Sequence, residues 1–111
     1  MNMKVENRRA TPRIRVQFRI TFSATPAPEG TGIILDLSAG GCRVESPLLL
    51  TPGVALELRI HVPDLAWPVM VEAATVQWVS DRSFGLAFLR MTDPERQRLD
   101  QLITTLMNAS D

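Results

Sequence analysis

Between Ile14 and Phe22 the chain alternates without a break. Ile14, Val16, Phe18, Ile20 and Phe22 are apolar, and Arg15, Gln17, Arg19 and Thr21 between them are polar. A period of two is the pattern of a strand with one dry and one wet face. Such a strand must have its dry face covered and its edges paired. Partners follow along the chain. Thr31 to Ser38 reads as a second strand, with Ile33, Ile34, Leu35 and Leu37, and Ala39-Gly40-Gly41 as a turn into a short strand from Cys42 to Ser46. After the turn Thr51-Pro52-Gly53, Val54, Leu56, Leu58, Ile60 and Val62 alternate again until Pro63-Asp64. A long apolar strand runs from Val69 to about Val79, and Asp81-Arg82-Ser83 leads into Phe84 to Leu89. Six short strands separated by turn residues predict a mainly β fold, a small antiparallel barrel or sandwich, and closure into a barrel removes the apolar edges.

The end of the chain has a different period. Thr92-Asp93-Pro94-Glu95 has the spacing of a capping box with proline at the first helical position. Leu99, Leu102, Ile103, Leu106 and Met107 then recur at helical spacing. One C-terminal helix over about 94–107 is expected, lying across the barrel. The expected organisation is a single domain over 1–111: a flexible N-terminal arm over 1–13, a barrel over 14–91 and a helix over 92–107.

The chain has 12 Lys+Arg and 12 Asp+Glu, a formal net charge of zero. That balance argues against a protein that coats DNA or RNA. It also conceals a segregation, because Lys4, Arg8, Arg9, Arg13, Arg15 and Arg19 face only Glu6 within the first nineteen residues. The first nineteen residues therefore carry +5 and the rest −5, which points to a local anion site unless the arginines are simply solvated. The single cysteine, Cys42, excludes an internal disulfide and a multi-thiolate zinc site, and it reads as a small buried hydrophobe. The start of the chain has no apolar signal region and no stretch is long enough to span a bilayer, so a cytoplasmic protein without membrane contact is expected.

Catalytic patterns are weak. His61 is the only histidine and falls in an alternating strand, where it reads as a satisfied or solvated side chain. Ser38 is not in a nucleophile elbow, and paired carboxylates, a phosphate-binding glycine loop and metal-ligand spacing are all missing. An enzyme is not expected, nor a metal or cofactor. Two clusters stand out instead. In Arg8-Arg9-Ala10-Thr11-Pro12-Arg13, Pro12 disfavours a helix, so the arginines sit on an extended arm entering the first strand. Guanidinium forks suit phosphate and the O6/N7 edge of guanine. In Asp36-Leu37-Ser38-Ala39-Gly40-Gly41, strand geometry sends Leu37 into the core and leaves Asp36 and Ser38 side by side outside. The carboxylate suits N–H donors such as guanine N1 and N2, and the glycines permit positive φ and close approach of a ligand, although a plain hairpin turn uses the same residues.

Together the clusters resemble those of PilZ domains. Arg-x-x-x-Arg (Arg9, Arg13), a strand, and Asp-x-Ser-x-x-Gly (Asp36, Ser38, Gly41) occur in that family's order, followed by the strand around Trp78, Phe84-Gly85-Leu86-Ala87-Phe88 and a final helix. The family comprises bacterial receptors for cyclic di-GMP built as a six-stranded antiparallel β-barrel with a C-terminal helix. The resemblance implies that Arg9 and Arg13 contact phosphates and the guanine O6/N7 edge. Asp36 and Ser38 would hold a guanine and its neighbouring phosphate or sugar, and Gly41 would allow close backbone contact. Arg8 corresponds to a position associated with an intercalated cyclic di-GMP dimer. Gly40 and, more loosely, Arg43 are added to the candidate ligand residues.

The expected mechanism is ordering of the arm over the dinucleotide, with the changed surface read by an unidentified protein partner in trans. The alternatives are a PilZ-fold interaction adaptor that does not bind nucleotide, and a small barrel for single-stranded nucleic acid, which would need exposed aromatics among basic residues. Trp78 is expected in the core, and Trp67 half-buried in a packing role. Arg15 and Arg19 are expected on the wet face of the first strand.

Overall fold

The computed structural model describes residues 12–24 and 29–109. Six strands, β1 (Ile14–Ala24), β2 (Glu29–Ser38), β3 (Gly41–Glu45), β4 (Ala55–His61), β5 (Val69–Ser80) and β6 (Ser83–Arg90), precede one helix, α1 (Asp93–Ala109). All pairings are antiparallel, and the strands close into a barrel in the order β1-β2-β3-β6-β5-β4, with β4 returning to β1. Two three-stranded meanders are thus joined at both seams, which removes the free edges that such apolar strands would otherwise present.

The core follows the alternation. Phe18, Ile20 and Phe22 of β1 point inward with Leu56, Leu58 and Ile60 of β4, while Arg15 and Arg19 face solvent as expected. Phe22 and Phe84 meet edge to face, with ring centroids 5.6 Å apart, a favoured aromatic geometry. Cys42 is buried among these side chains, and desolvation, aided by the Asp36 charge, pushes its thiol far above the ordinary value. It behaves as the small hydrophobe expected.

α1 closes one side of the barrel through Leu99 and Ile103, both buried. Leu102 and Leu106 are only half-buried and Met107, expected on the same stripe, is 45% exposed. Each four-residue step advances the side chain by about 40° around a 3.6-residue helix, so Met107 has rotated about 80° from Leu99. The capping box is half made. Thr92 Oγ1 accepts the Glu95 N–H at 3.3 Å, but the Glu95 carboxylate accepts the Met70 N–H at 2.8 Å instead of reaching back. Trp67, expected to be half-buried, is 74% exposed. Its backbone carbonyl is turned toward α1, where it accepts from Arg98 Nη2 at 2.6 Å, and the indole points away.

Candidate functional site

Two β-bulges aim the site. Ile34 and Leu37 are both fully buried although three residues apart, which strict alternation forbids. Leu35 is the extra residue: Ile34 pairs with Val44, and Asp36 pairs with the next residue back, Arg43. The bulge restores Leu37 to the core and turns Asp36 outward. On β5 the extra residue is Gln77, because Val76 pairs with Leu86 and Trp78 with Gly85. Alternation counted from the buried Val76 would send Trp78 inward, and the extra residue puts it on the outer face instead, 40% exposed. The result is one lateral row across five strands: Arg15, Asp36, Arg43, Gly85 and Trp78. The indole lies against Gly85, where an added Cβ would stand 2.1 Å from its Nε1.

Asp36 is the hub of this row. Its Oδ1 accepts from Arg13 Nη1 at 2.5 Å and its Oδ2 from Arg43 Nε at 3.1 Å. Partial burial alone would raise the carboxyl, but hydrogen bonds and charge from Arg13 and Arg43 outweigh it and hold Asp36 below its ordinary value. One carboxylate serves two guanidiniums and Arg15 stands beside it, so cations exceed anions on this patch. Arg13 and Arg43 remain largely open to solvent, with 59% and 41% of their side chains exposed. Such an arrangement presents positioned donors to an anion without first having to assemble them.

Ser38 and the glycines differ from expectation. The Ser38 hydroxyl is folded back into the turn, donating to the Gly41 carbonyl and accepting from the Gly40 N–H, each at 3.3 Å. It is buried rather than side by side with Asp36 outside, because the turn needs partners for these backbone groups. Neither Gly40 nor Gly41 has positive φ; among the described residues only Gly53, Asp64 and Asp81 do. Gly41 is required for another reason. A Cβ there would stand 2.1 Å from the Leu86 carbonyl oxygen, so only glycine lets β3 approach β6. Gly40 faces open space. The turn is also tied to the helix, since Arg96 Nη1 donates to the Ala39 carbonyl at 2.9 Å.

The structure therefore brings together Arg13, Asp36 and Arg43 and places Ser38, Gly40 and Gly41 in the adjoining turn, while Arg8 and Arg9 lie outside the described residues. Trp78 is the residue the sequence reading missed at this face. The trace it leaves in the sequence is Val76 and Val79, an apolar pair three residues apart in a strand, which becomes a bulge signal only once the pairing with β6 is known. His61 lies elsewhere on the barrel within 3.3 Å of the Thr21 hydroxyl, and burial, then Arg19 and Arg59, push its imidazole down. Among the described residues no group of three His, Cys, Asp or Glu side chains is placed to hold a metal, and no helix is long and apolar enough to cross a membrane.

The family model for the PilZ domain matches residues 7–105. No curated protein sequence matches. Among solved structures, the PilZ domain of YcgR from Escherichia coli, with c-di-GMP, superposes with a TM-score of 0.76 at 16% identity, over 93% of this chain and 94% of that one. The PilZ domain of CeSA from a cellulose-synthesizing bacterium gives 0.69 at 16% identity, over 86% and 98%. The Bacillus subtilis inhibitor of motility MotI/DgrA gives 0.72 at 22% identity, over 91% of this chain and 52% of that one.

Proposed function

Because the chain belongs to the PilZ domain family, whose members are ligand-binding receptor domains, we propose that it is a receptor for cyclic di-GMP that signals through a protein partner rather than by catalysis. The observation that carries this reading is the Arg13–Asp36–Arg43 cluster, open to solvent and richer in cations than anions. A guanine base offers N1–H and N2–H to a carboxylate and O6/N7 to a guanidinium, and each linking phosphate takes a guanidinium fork. Trp78, laterally in line with Asp36 and Arg43, supplies an aromatic surface against which a base can stack. The segment carrying Arg8 and Arg9 adds its guanidiniums and closes over the ligand. The Arg96 bond to Ala39 supports transmission of that change to α1.

Titration calorimetry with cyclic di-GMP tests this. Binding is expected, and Arg13→Ala should weaken it by roughly tenfold to a hundredfold, the loss of one charge-assisted contact of about 1.5–3 kcal/mol. Arg90→Ala, whose guanidinium pairs with Glu72 away from the row, should bind as the wild type does. No heat at tens of micromolar ligand overturns the receptor reading.

A further inference from the structure

An open groove of about 460 Å³ lies between α1 and the loop that joins β4 to β5. One bank is the loop, with Asp64 and Leu65, and the other is α1 from Arg98 to Leu106. Phe18 is the most buried residue of the lining, and Val62 and Leu102 are half-buried beside it. The lining is mainly apolar and includes no residue of the Asp36 row. Leu65 and, two residues further along the loop, Trp67 are exposed large apolar side chains.

The loop bank is fixed. The Leu65 N–H donates to the Val62 carbonyl at 3.1 Å, and Arg98 holds the carbonyls of Trp67 and Pro68. Trp67 is therefore an exposed indole on a backbone that is already positioned. A tryptophan set in advance beside an apolar groove is the composition of a protein-docking surface, where a few aromatic anchors carry most of the affinity.

Charge selects the occupant. Arg98 is the only cation of the lining, and it is engaged by Glu95 and by the two carbonyls. Asp64 lies in the lining, and Asp100 borders an adjoining depression that shares Gln101 and Thr105 with the groove. Neither carboxylate has an ion-pair partner among the described residues. A second copy docked by the same face would bring the same two carboxylates against them, a like-charge contact, whereas a basic segment satisfies both. The barrel is closed, so this face has no free strand edge to which a partner strand could add. The α1 bank from Arg98 to Leu106 is about 12 Å long, enough for roughly two turns of a docked helix.

We propose that this groove is the docking site of the protein partner, and that the docked segment is an amphipathic helix with a basic flank. Its apolar face rests on Leu65, Leu102 and Trp67, and its lysines or arginines pair with Asp64 and Asp100. This inference rests on the reading of the chain as a receptor that signals through a partner, and adds where the partner binds and what it looks like. α1 joins the two functions, because Arg96 holds the β2–β3 turn through Ala39 and Arg98, two residues on, holds the loop bank.

The test is fluorescence anisotropy with a labelled 14-residue amphipathic helix built of leucine and lysine. The probes beside it are the same composition in scrambled order and the same helix with glutamate for lysine. The wild type should bind the first and neither of the others. Leu65→Ser and Trp67→Ala alter exposed side chains, so their thermal midpoints should match the wild type, and each should bind the peptide about fivefold to tenfold more weakly. Asp64→Asn, which keeps a residue tolerant of the positive φ at that position, combined with Asp100→Asn should weaken binding several-fold and flatten its salt dependence. Leu49→Ser, an exposed leucine outside the groove lining, should bind as the wild type does. Equal binding of the scrambled or acidic peptide, or wild-type affinity in Leu65→Ser and Trp67→Ala, overturns the proposal. So does a wild type that sediments as a dimer and becomes monomeric in Trp67→Ala, since a second copy then fills the groove. A wild type that takes up cyclic di-GMP but not the peptide overturns the groove alone and leaves the receptor reading standing. One that takes up the peptide but not the dinucleotide overturns the receptor reading and, with it, the assignment of the groove to signalling.

Discussion

Two neighbouring arginines of α1 reach two different loops. Arg98 donates to the carbonyls of Pro68 at 3.0 Å and Trp67 at 2.6 Å, holding the β4–β5 loop; Arg96 donates to the Ala39 carbonyl, holding the β2–β3 turn. The loops differ in what remains once those bonds are made. At the β4–β5 loop, Glu95 pairs with Arg98 at 3.1 Å and also accepts the Met70 N–H, so charge and backbone are both satisfied. At the β2–β3 turn the backbone is satisfied by Ser38 and Arg96, but Arg13 and Arg43 share one carboxylate. A satisfied loop is scaffold. A turn with a fixed backbone beside two guanidiniums that share one carboxylate keeps positioned donors with positive charge left over, which is the premise of the proposed receptor role.

The comparison can be tested at the backbone first, where the effect is largest. Gly41→Ala drives a Cβ into the Leu86 carbonyl, which cannot swing away, and should cost at least about 3 kcal/mol, lowering the melting midpoint by more than about 10 °C. Gly40→Ala meets open space and should leave the midpoint within about 2 °C while weakening ligand binding. Equal midpoints for the two variants would break the assignment of Gly41 to barrel closure.

The arginines give the next effect. Arg98→Ala removes two carbonyl partners and should destabilise by about 2 kcal/mol with cyclic di-GMP affinity unchanged. Arg96→Ala removes one, should destabilise by about 1 kcal/mol, and should weaken binding several-fold because the turn loses its tether. If Arg98→Ala impairs binding as much as Arg96→Ala does, the division into scaffold and site is wrong.

The smallest effect is in pH. The Asp36 carboxyl is held below its ordinary 3.8. A depressed group contributes stability that is fully present above the unfolded value and lost as pH falls through the folded one. The difference in melting midpoint between wild type and Asp36→Asn should therefore stay constant from about pH 8 to pH 5 and shrink below about pH 4. A difference that declines between pH 7 and 5 would show that Arg13 and Arg43 do not hold the carboxylate as the geometry indicates.

Much of this was legible in the residues. Alternation in Ile14–Phe22 and Val54–Val62 and helical spacing after Thr92 marked the elements, because a strand or helix writes its own period along the chain. The outward Arg15 and Arg19 follow from the same local rule. The types of residue at the candidate site were visible too, since arginines crowded near one end are a property of order alone. What the chain order left open was which way Ser38 and Trp78 turn and why Gly41 must be glycine. Bulges at Leu35 and Gln77 exist only relative to the strands paired with them, and β3 reaches β6 only after the barrel closes. Period can be read along one strand, whereas register is set between strands distant in sequence. The sequence therefore determined the elements and the chemistry they carry, and the tertiary structure decided which side chains share a face, because that depends on hydrogen-bonded neighbours the local pattern does not contain.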